Sequence, residues 1–214
     1  MTERLPRATL AAALACGVLA CLPSGMGAGL AYDRQAILAG EIWRLWTGHL
    51  VHFTTQQAIL DASILLLAGV LTEVDLGWRR FARLLLIGMP AISLGLLLLV
   101  PGLAEYRGAS GVAMMLSVTA VAILWSIRQE TRTALLLLGI CFALKTLLDA
   151  LGLATDFSGL PEDISVAWQA HVLGAGIGGA AVLAAKKYGR DPDIQKSSLA
   201  GGGGLATWLS GKPH

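Results

Sequence analysis

Gly108-Ala109-Ser110-Gly111 opens an apolar run that continues through Val112-Ala113-Met114-Met115-Leu116 to Ile127. The run has the ~20 residues that carry a helix across a bilayer core. It begins with a serine set between small residues. A second stretch, Ala170-His171-Val172-Leu173-Gly174, opens another apolar run further along the chain. A nucleophile-capable hydroxyl and an imidazole, each at the start of a glycine-bearing apolar helix, point to one chemistry: serine hydrolysis inside the membrane. The rest of the chain reads as what holds those two side chains together.

Composition agrees. The 214 residues are 55% apolar and only 14% charged, and the mean hydropathy is +0.67. A soluble domain carries about 25% charged residues, so the chain belongs to the membrane class and its fold class is all-α. Lys and Arg form no single stripe, which excludes a nucleic-acid partner. Cys16, Cys21 and Cys141 all lie in apolar runs. They have no metal-ligand spacing and read as packing or lipid-facing residues. No cofactor or metal is expected. Arg4 and Arg7 before Ala8–Leu22 resemble a secretory signal, but the apolar runs downstream make a first membrane helix the better reading.

Six spans are expected, at 8–30, 57–74, 84–100, 108–127, 134–153 and 166–185, the second and third short enough to extend at their ends. They form a membrane domain over 1–187, followed by a flexible cytoplasmic tail, 188–214, with Gly201–Gly204 inside it. The basic residues alternate between connections. Arg4, Arg7, Arg79, Arg80, Arg83, Arg128, Arg132, Lys186, Lys187, Arg190, Lys196 and Lys212 fall on one side, and only Arg34, Arg44 and Arg107 on the other. The positive-inside rule then puts both termini in the cytoplasm and the starts of spans four and six toward the outer face. The first outer loop, 31–56, mixes Trp43, Arg44, Trp46, His49 and His52 and reads as an interfacial element. His49 and His52 lack a carboxylate or thiol at ligand spacing, so a structural role is expected. Lys145 and Asp149, four apart on span five, are expected to pair and turn into the bundle.

On a helical wheel Ser110 shares a face with Ser117, and His171 shares one with Gly174 and Gly178. Small residues let membrane helices approach closely, so His171 is expected over a Gly174/Gly178 groove that faces Gly108, Ser110 and Gly111. His171 would take the Ser110 proton, Ser110 would attack a peptide carbonyl, and His171 would protonate the leaving amine. No carboxylate is evident near His171 in the sequence, which favours a dyad over a triad. The start of the Ser110 helix offers unpaired N–H groups and a positive dipole end to an oxyanion. Taken singly, a GxSG in a membrane helix arises by chance and a histidine near a helix end is often just hydrogen-bonded. The two together, at matching depth, carry the functional reading.

These residues resemble the rhomboid family of intramembrane serine proteases, from about Glu41 to Gly178. Glu41-x-Trp43-Arg44 is similar to that family's Trp-Arg element. Gly108-Ala109-Ser110-Gly111 is similar to its GxSG motif, and Ala170-His171-x-x-Gly174-x-x-x-Gly178 to its catalytic-histidine helix. The resemblance implies a six-helix rhomboid-like bundle, a bacterial inner membrane and a site facing the periplasm. The compact form, Gly48-His49-Leu50-Val51-His52 and Lys145…Asp149 look most like the rhombosortase branch. Members of that branch are implied to cut membrane-anchored proteins near a C-terminal tail of Gly-Gly, one membrane helix and a basic end. The chain departs from the family on the second helix. Where the family carries His and, four residues on, Asn as oxyanion helpers, Gln57 and Asp61 stand here. Gln57 can donate through its amide. An ionised Asp61 would repel an oxyanion, whereas a neutral one, or one bonded to Gln57, would not. Loss of one oxyanion donor lowers rate by ~10²–10³. The alternative reading is therefore a catalytically impaired relative that binds transmembrane segments without cleaving them. A small transporter fits less well, because few polar residues line the spans.

Overall fold

The computed structural model describes residues 5–21, 27–153 and 167–188. The first apolar run forms α1 (Arg7–Ala20). The loop after it holds β1 (Tyr32–Asp33), α2 (Arg34–Leu38) and α3 (Arg44–Thr47). Then come α4 (Thr55–Leu76), α5 (Trp78–Leu99), β2 (Glu105–Tyr106), α6 (Ser110–Ile127), α7 (Arg132–Ala150) and α8 (Trp168–Tyr188). Among the described residues, α5, α6, α8 and the segment containing α7 are long and apolar enough to cross a membrane. The second and third runs do extend at their ends, as α4 and α5. The first does not reach residue 30 as one helix: α1 has 14 residues, about 21 Å at 1.5 Å per residue. The polar tail and Gly201–Gly204 lie outside the described residues.

Local chemistry sets the long helices. Thr54 caps α4, its hydroxyl accepting from the Gln57 N–H at 3.1 Å. Gly77, at φ +79°, makes the turn into α5. Inside α5, Pro90 has no N–H to give the Leu86 carbonyl four residues back. The Trp46 indole donates to that carbonyl instead, at 2.9 Å. The proline thereby becomes a docking point for the first loop. Beside it, the Ser93 hydroxyl donates to the Leu45 carbonyl at 2.9 Å. His49 Nε2 lies 2.9 Å from both Met89 O and Ser93 Oγ. Because the Ser93 hydrogen is already given to Leu45, the His49 ring carries its proton on Nε2 and donates it. Burial pushes His49 down to about 4, so the ring is neutral at pH 7.

The long helices alternate in direction. Gln57 and Asp61 at the start of α4 reach residues 107–109 before α6, and Glu73 near its end reaches the start of α1. Arg7, Arg79, Arg80, Arg83, Arg128 and Arg132 therefore collect at one end of the bundle, and Arg34, Arg44 and Arg107 at the other. Those last three are each fastened locally. Arg34 donates to Leu97 O at 2.7 Å. Arg44, itself buried, donates to Ala28 O and Ala31 O and pairs with Glu41 at 2.6 Å. Arg107 pairs with Glu105 and lies over the Phe53 ring. Trp43, by contrast, is exposed on the same loop, with Leu38 and Ile42. That is the distribution expected of an interfacial element.

Glu73, 3% exposed, was not anticipated. Its carboxylate accepts from Ala8 N–H at 3.0 Å, Thr9 N–H at 2.7 Å and the Thr9 hydroxyl at 2.8 Å. It thus satisfies the start of α1 from another helix, where Pro6 offers no side-chain cap. Glu73→Ala strands three donors and is expected to destabilise the protein by about 3–5 kcal/mol. The check is a thermal unfolding curve in detergent. An unmoved midpoint would mean α1 is held by apolar packing alone.

Candidate active site

The segment before Ser110 is tied down on every side. β2 pairs antiparallel with β1, Tyr106 opposite Tyr32. Tyr106 is buried, and its hydroxyl donates to Gly108 O at 2.6 Å. Its ring meets His49 edge-on at 5.5 Å. Burial first, and the nearby Asp61 second, push the phenol up, so it stays protonated as a donor. The Gly108 N–H donates to Gly48 O at 3.1 Å. Gly108 has φ +131°, and a Cβ there would stand 2.5 Å from Gln57 Nε2 and 3.1 Å from Asp61 Oδ2. Conformation and space both demand glycine at this position.

Gln57 and Asp61 share the inner face of α4, as their spacing predicts, but they do not bond each other. Gln57 Nε2 donates to Arg107 O at 2.9 Å, and its Oε1 accepts from Phe53 N–H at 3.0 Å. Asp61 Oδ2 accepts from Ala109 N–H at 2.8 Å. Both side chains thus anchor the turn that ends one residue before Ser110. His52 Nε2 lies 3.2 Å from the same Asp61 oxygen, its side chain 1% exposed. The contact is close enough for an ion pair but off-axis for a hydrogen bond. The Asp61 carboxylate thus has a backbone donor and an imidazole against it.

Ser110 is the first residue of α6, whose start has no side-chain cap. It lies beside the Tyr106 hydroxyl. The helix then runs parallel to α8 at very close range. A Cβ on Gly111 would stand 3.0 Å from Ala170 O. A Cβ on Gly174 would collide with Gly111 O, and one on Gly178 with Met115 O. Glycines four residues apart thus let the α8 backbone lie against α6. Gly111 follows Ser110 and Ala170 precedes His171, so the backbones that carry the two candidate residues meet at this crossing. Ser110 and His171 are not hydrogen-bonded to one another.

The sequence matches the Rhomboid domain family over residues 39–187, most of the chain. The chain belongs to the rhomboid family. Rhomboids are in general intramembrane serine proteases that act on membrane-protein substrates within the bilayer, and this rhomboid is accordingly an integral membrane protein. No curated protein matches it.

Beside α8 stands α7. It is largely exposed: Leu136, Leu137, Ile140, Leu144 and Leu147 all face outward, and among the described residues Leu135 is its one residue buried backbone and side chain together. Lys145 and Asp149 do pair, Nζ to Oδ2 at 2.7 Å. Only the aspartate turns inward, however: its side chain is 1% exposed and that of Lys145 is 48%. A long side chain keeps its charge at the surface while its stem stays on the helix. Asp149 Oδ2 also lies 4.0 Å from His171 Nδ1. The absence of a carboxylate near His171 in the sequence is therefore not an absence in space. Between α6, α7 and α8 opens an apolar cleft of about 550 Å³, lined by Met114, Ser117, Phe142, Thr146 and Ala175, with His171 at its edge. Among the described residues no group of three His, Cys, Asp or Glu could hold a metal ion.

Sequence reasoning left Tyr106 and Glu73 without assigned tasks and gave His52 only a structural one. Two signals were available. Tyr106 stands two residues before the GxSG motif, and Glu73 is a carboxylate inside an apolar run, which at membrane depth must have a partner.

Proposed function

We propose that this rhomboid is a serine endopeptidase of the rhombosortase kind. It would cut membrane-anchored proteins near a C-terminal Gly-Gly, transmembrane and basic tail. In this reading six helices cross a bacterial inner membrane, both termini are cytoplasmic and the site opens toward the periplasm. What carries the reading is the parallel crossing of α6 and α8, whose Gly174 and Gly178 admit no Cβ. In this reading the crossing lets a helix-start serine and a histidine on the neighbouring helix work as a pair. Ser110 attacks the scissile carbonyl while His171 takes its proton, and the carbonyl electron pair moves onto oxygen. Collapse of that intermediate expels the amine, which receives the proton from His171. The start of α6 and its dipole face the developing oxyanion. Hydrogen bonds of this type commonly tighten only when substrate is bound, which accommodates the unbonded pair.

The test is a serine-reactive fluorophosphonate probe applied to protein purified in detergent, with the labelled peptide mapped by mass spectrometry. Modification at Ser110 is expected. A folded protein that stays unlabelled beside an active serine protease would support the alternative of binding without cleavage.

That alternative draws on Gln57 and Asp61, whose polar atoms are engaged with residues 53, 107 and 109. Exchanging both residues, Gln57→His with Asp61→Asn, separates the two readings. Because the pair anchors the turn before Ser110, the double variant is expected to label several-fold more slowly than wild type. A gain of tenfold or more would instead mark the natural protein as an impaired enzyme.

A further inference from the structure

Asp149 lies near His171, and the Ser110–His171 chemistry does not yet use it. Its side chain is 1% exposed, and it is reached by the partly exposed Lys145 from the same helix. Its Oδ1 has no hydrogen-bond partner among the described residues. A buried carboxylate oxygen without a donor is unfavourable in an apolar setting. Such groups usually have a task. The carboxylate therefore has room for a further donor, and the His171 imidazole stands across a gap from its other oxygen, Nδ1 4.0 Å from Oδ2. A shift of roughly 1 Å would bring it within hydrogen-bond range.

We propose that Asp149 is the positioning residue for His171, holding Nδ1–H so that Nε2 is presented to Ser110. The inference rests on the serine-hydrolase reading above. Neutral His171 has one ring proton. With Nδ1–H directed at Asp149, that proton is placed away from the serine and the Nε2 lone pair is free to accept. When Nε2 takes the Ser110 proton, the imidazolium is stabilised by the adjacent carboxylate, which itself takes no proton. Nε2 then delivers the proton to the leaving amine, and the ring returns to its starting tautomer. Lys145 tempers the carboxylate by holding Oδ2. The charged groups that bear on the ring are Lys145 and Asp149 from α7 and Asp61 from α4.

The rate of fluorophosphonate labelling, measured against probe concentration and pH in detergent, tests this without a known substrate. Asp149→Asn is expected to lower the limiting labelling rate roughly tenfold or more, with the probe's half-saturation concentration within about twofold. Asp149→Glu should recover part of the loss. The acidic limb of the pH profile should move in opposite directions in two variants. It should move down in Asp149→Asn, which removes the anion that favours the imidazolium, and up in Lys145→Gln, which removes the cation that opposes it. A purely structural role moves both the same way or neither. If Asp149→Asn does not fold, as read by its unfolding midpoint, the half-exposed Lys145 decides alone, and an unmoved limb in Lys145→Gln overturns the proposal. Wild-type rates and an unshifted limb in a folded Asp149→Asn also overturn it, while Ser110 labelling in wild type leaves the hydrolase reading standing. No labelling of wild type removes both.

Discussion

His171→Ala is expected to slow the labelling of Ser110 by ~10³-fold, and Ser110→Ala to remove it. A serine hydroxyl is a weak nucleophile at neutral pH and needs a base within reach to take its proton as it attacks. In the proposed mechanism His171 is that base, and the reading rests on the contact between Gly111 and Ala170, the chain neighbours of the two residues. Ser117 provides the control. It lines the same cleft as His171 but lies two turns further along α6, away from the uncapped helix start. Ser117→Ala is expected to label within about twofold of wild type, since it leaves the nucleophile and base in place. A probe adduct mapped to Ser117, or a His171→Ala protein labelled at the wild-type rate, would overturn the assignment.

Gly174→Ala is expected to reduce labelling by ~10²-fold, even though it leaves every reacting atom in place. The added methyl would occupy the position of Gly111 O, with Gly111 C at 2.9 Å and Met115 N at 3.3 Å. These are backbone atoms with no rotamer to yield, so the helices must separate. A displacement of about 1 Å at a catalytic pair is enough for a loss of that size. Alanine is intrinsically the better helix former by about 1 kcal/mol, so a loss of activity here cannot be blamed on propensity. Gly176→Ala isolates the effect: nothing lies within 4 Å of its Cβ, and this variant should label at the wild-type rate with unchanged or slightly higher thermal stability. Equal behaviour of the 174 and 176 variants would show that the α6–α8 distance does not govern the site.

Much of this was legible beforehand because membrane helices announce themselves by composition. A run such as Leu84–Val100 has no charged residue and no alternative way to satisfy its backbone in lipid. The glycines at 174 and 178 were legible too, since a four-residue repeat of small side chains has one main use on a helix face. The departures trace to partners that helical periodicity does not encode. Asp61 was weighed as an oxyanion neighbour or a partner of Gln57, yet it holds the Ala109 N–H, a contact across 48 residues. Pro90 acts as an anchor only because Trp46, from another part of the chain, donates to the carbonyl it frees.

By itself, then, the sequence determined the membrane class, the helices that are long and apolar, the separation of its basic residues into two groups, and the candidates Ser110 and His171. Each of these follows from residue type and short-range spacing. Only the tertiary structure decided that Glu73 closes the start of α1, that Gln57 and Asp61 grip the turn before Ser110, and that Asp149 comes to lie 4.0 Å from His171. Lys145 and Asp149 advertise each other along one helix through a four-residue interval. The approach of Asp149 to the imidazole depends instead on how α7 lies against α8, and that is set by the packing of whole helix faces.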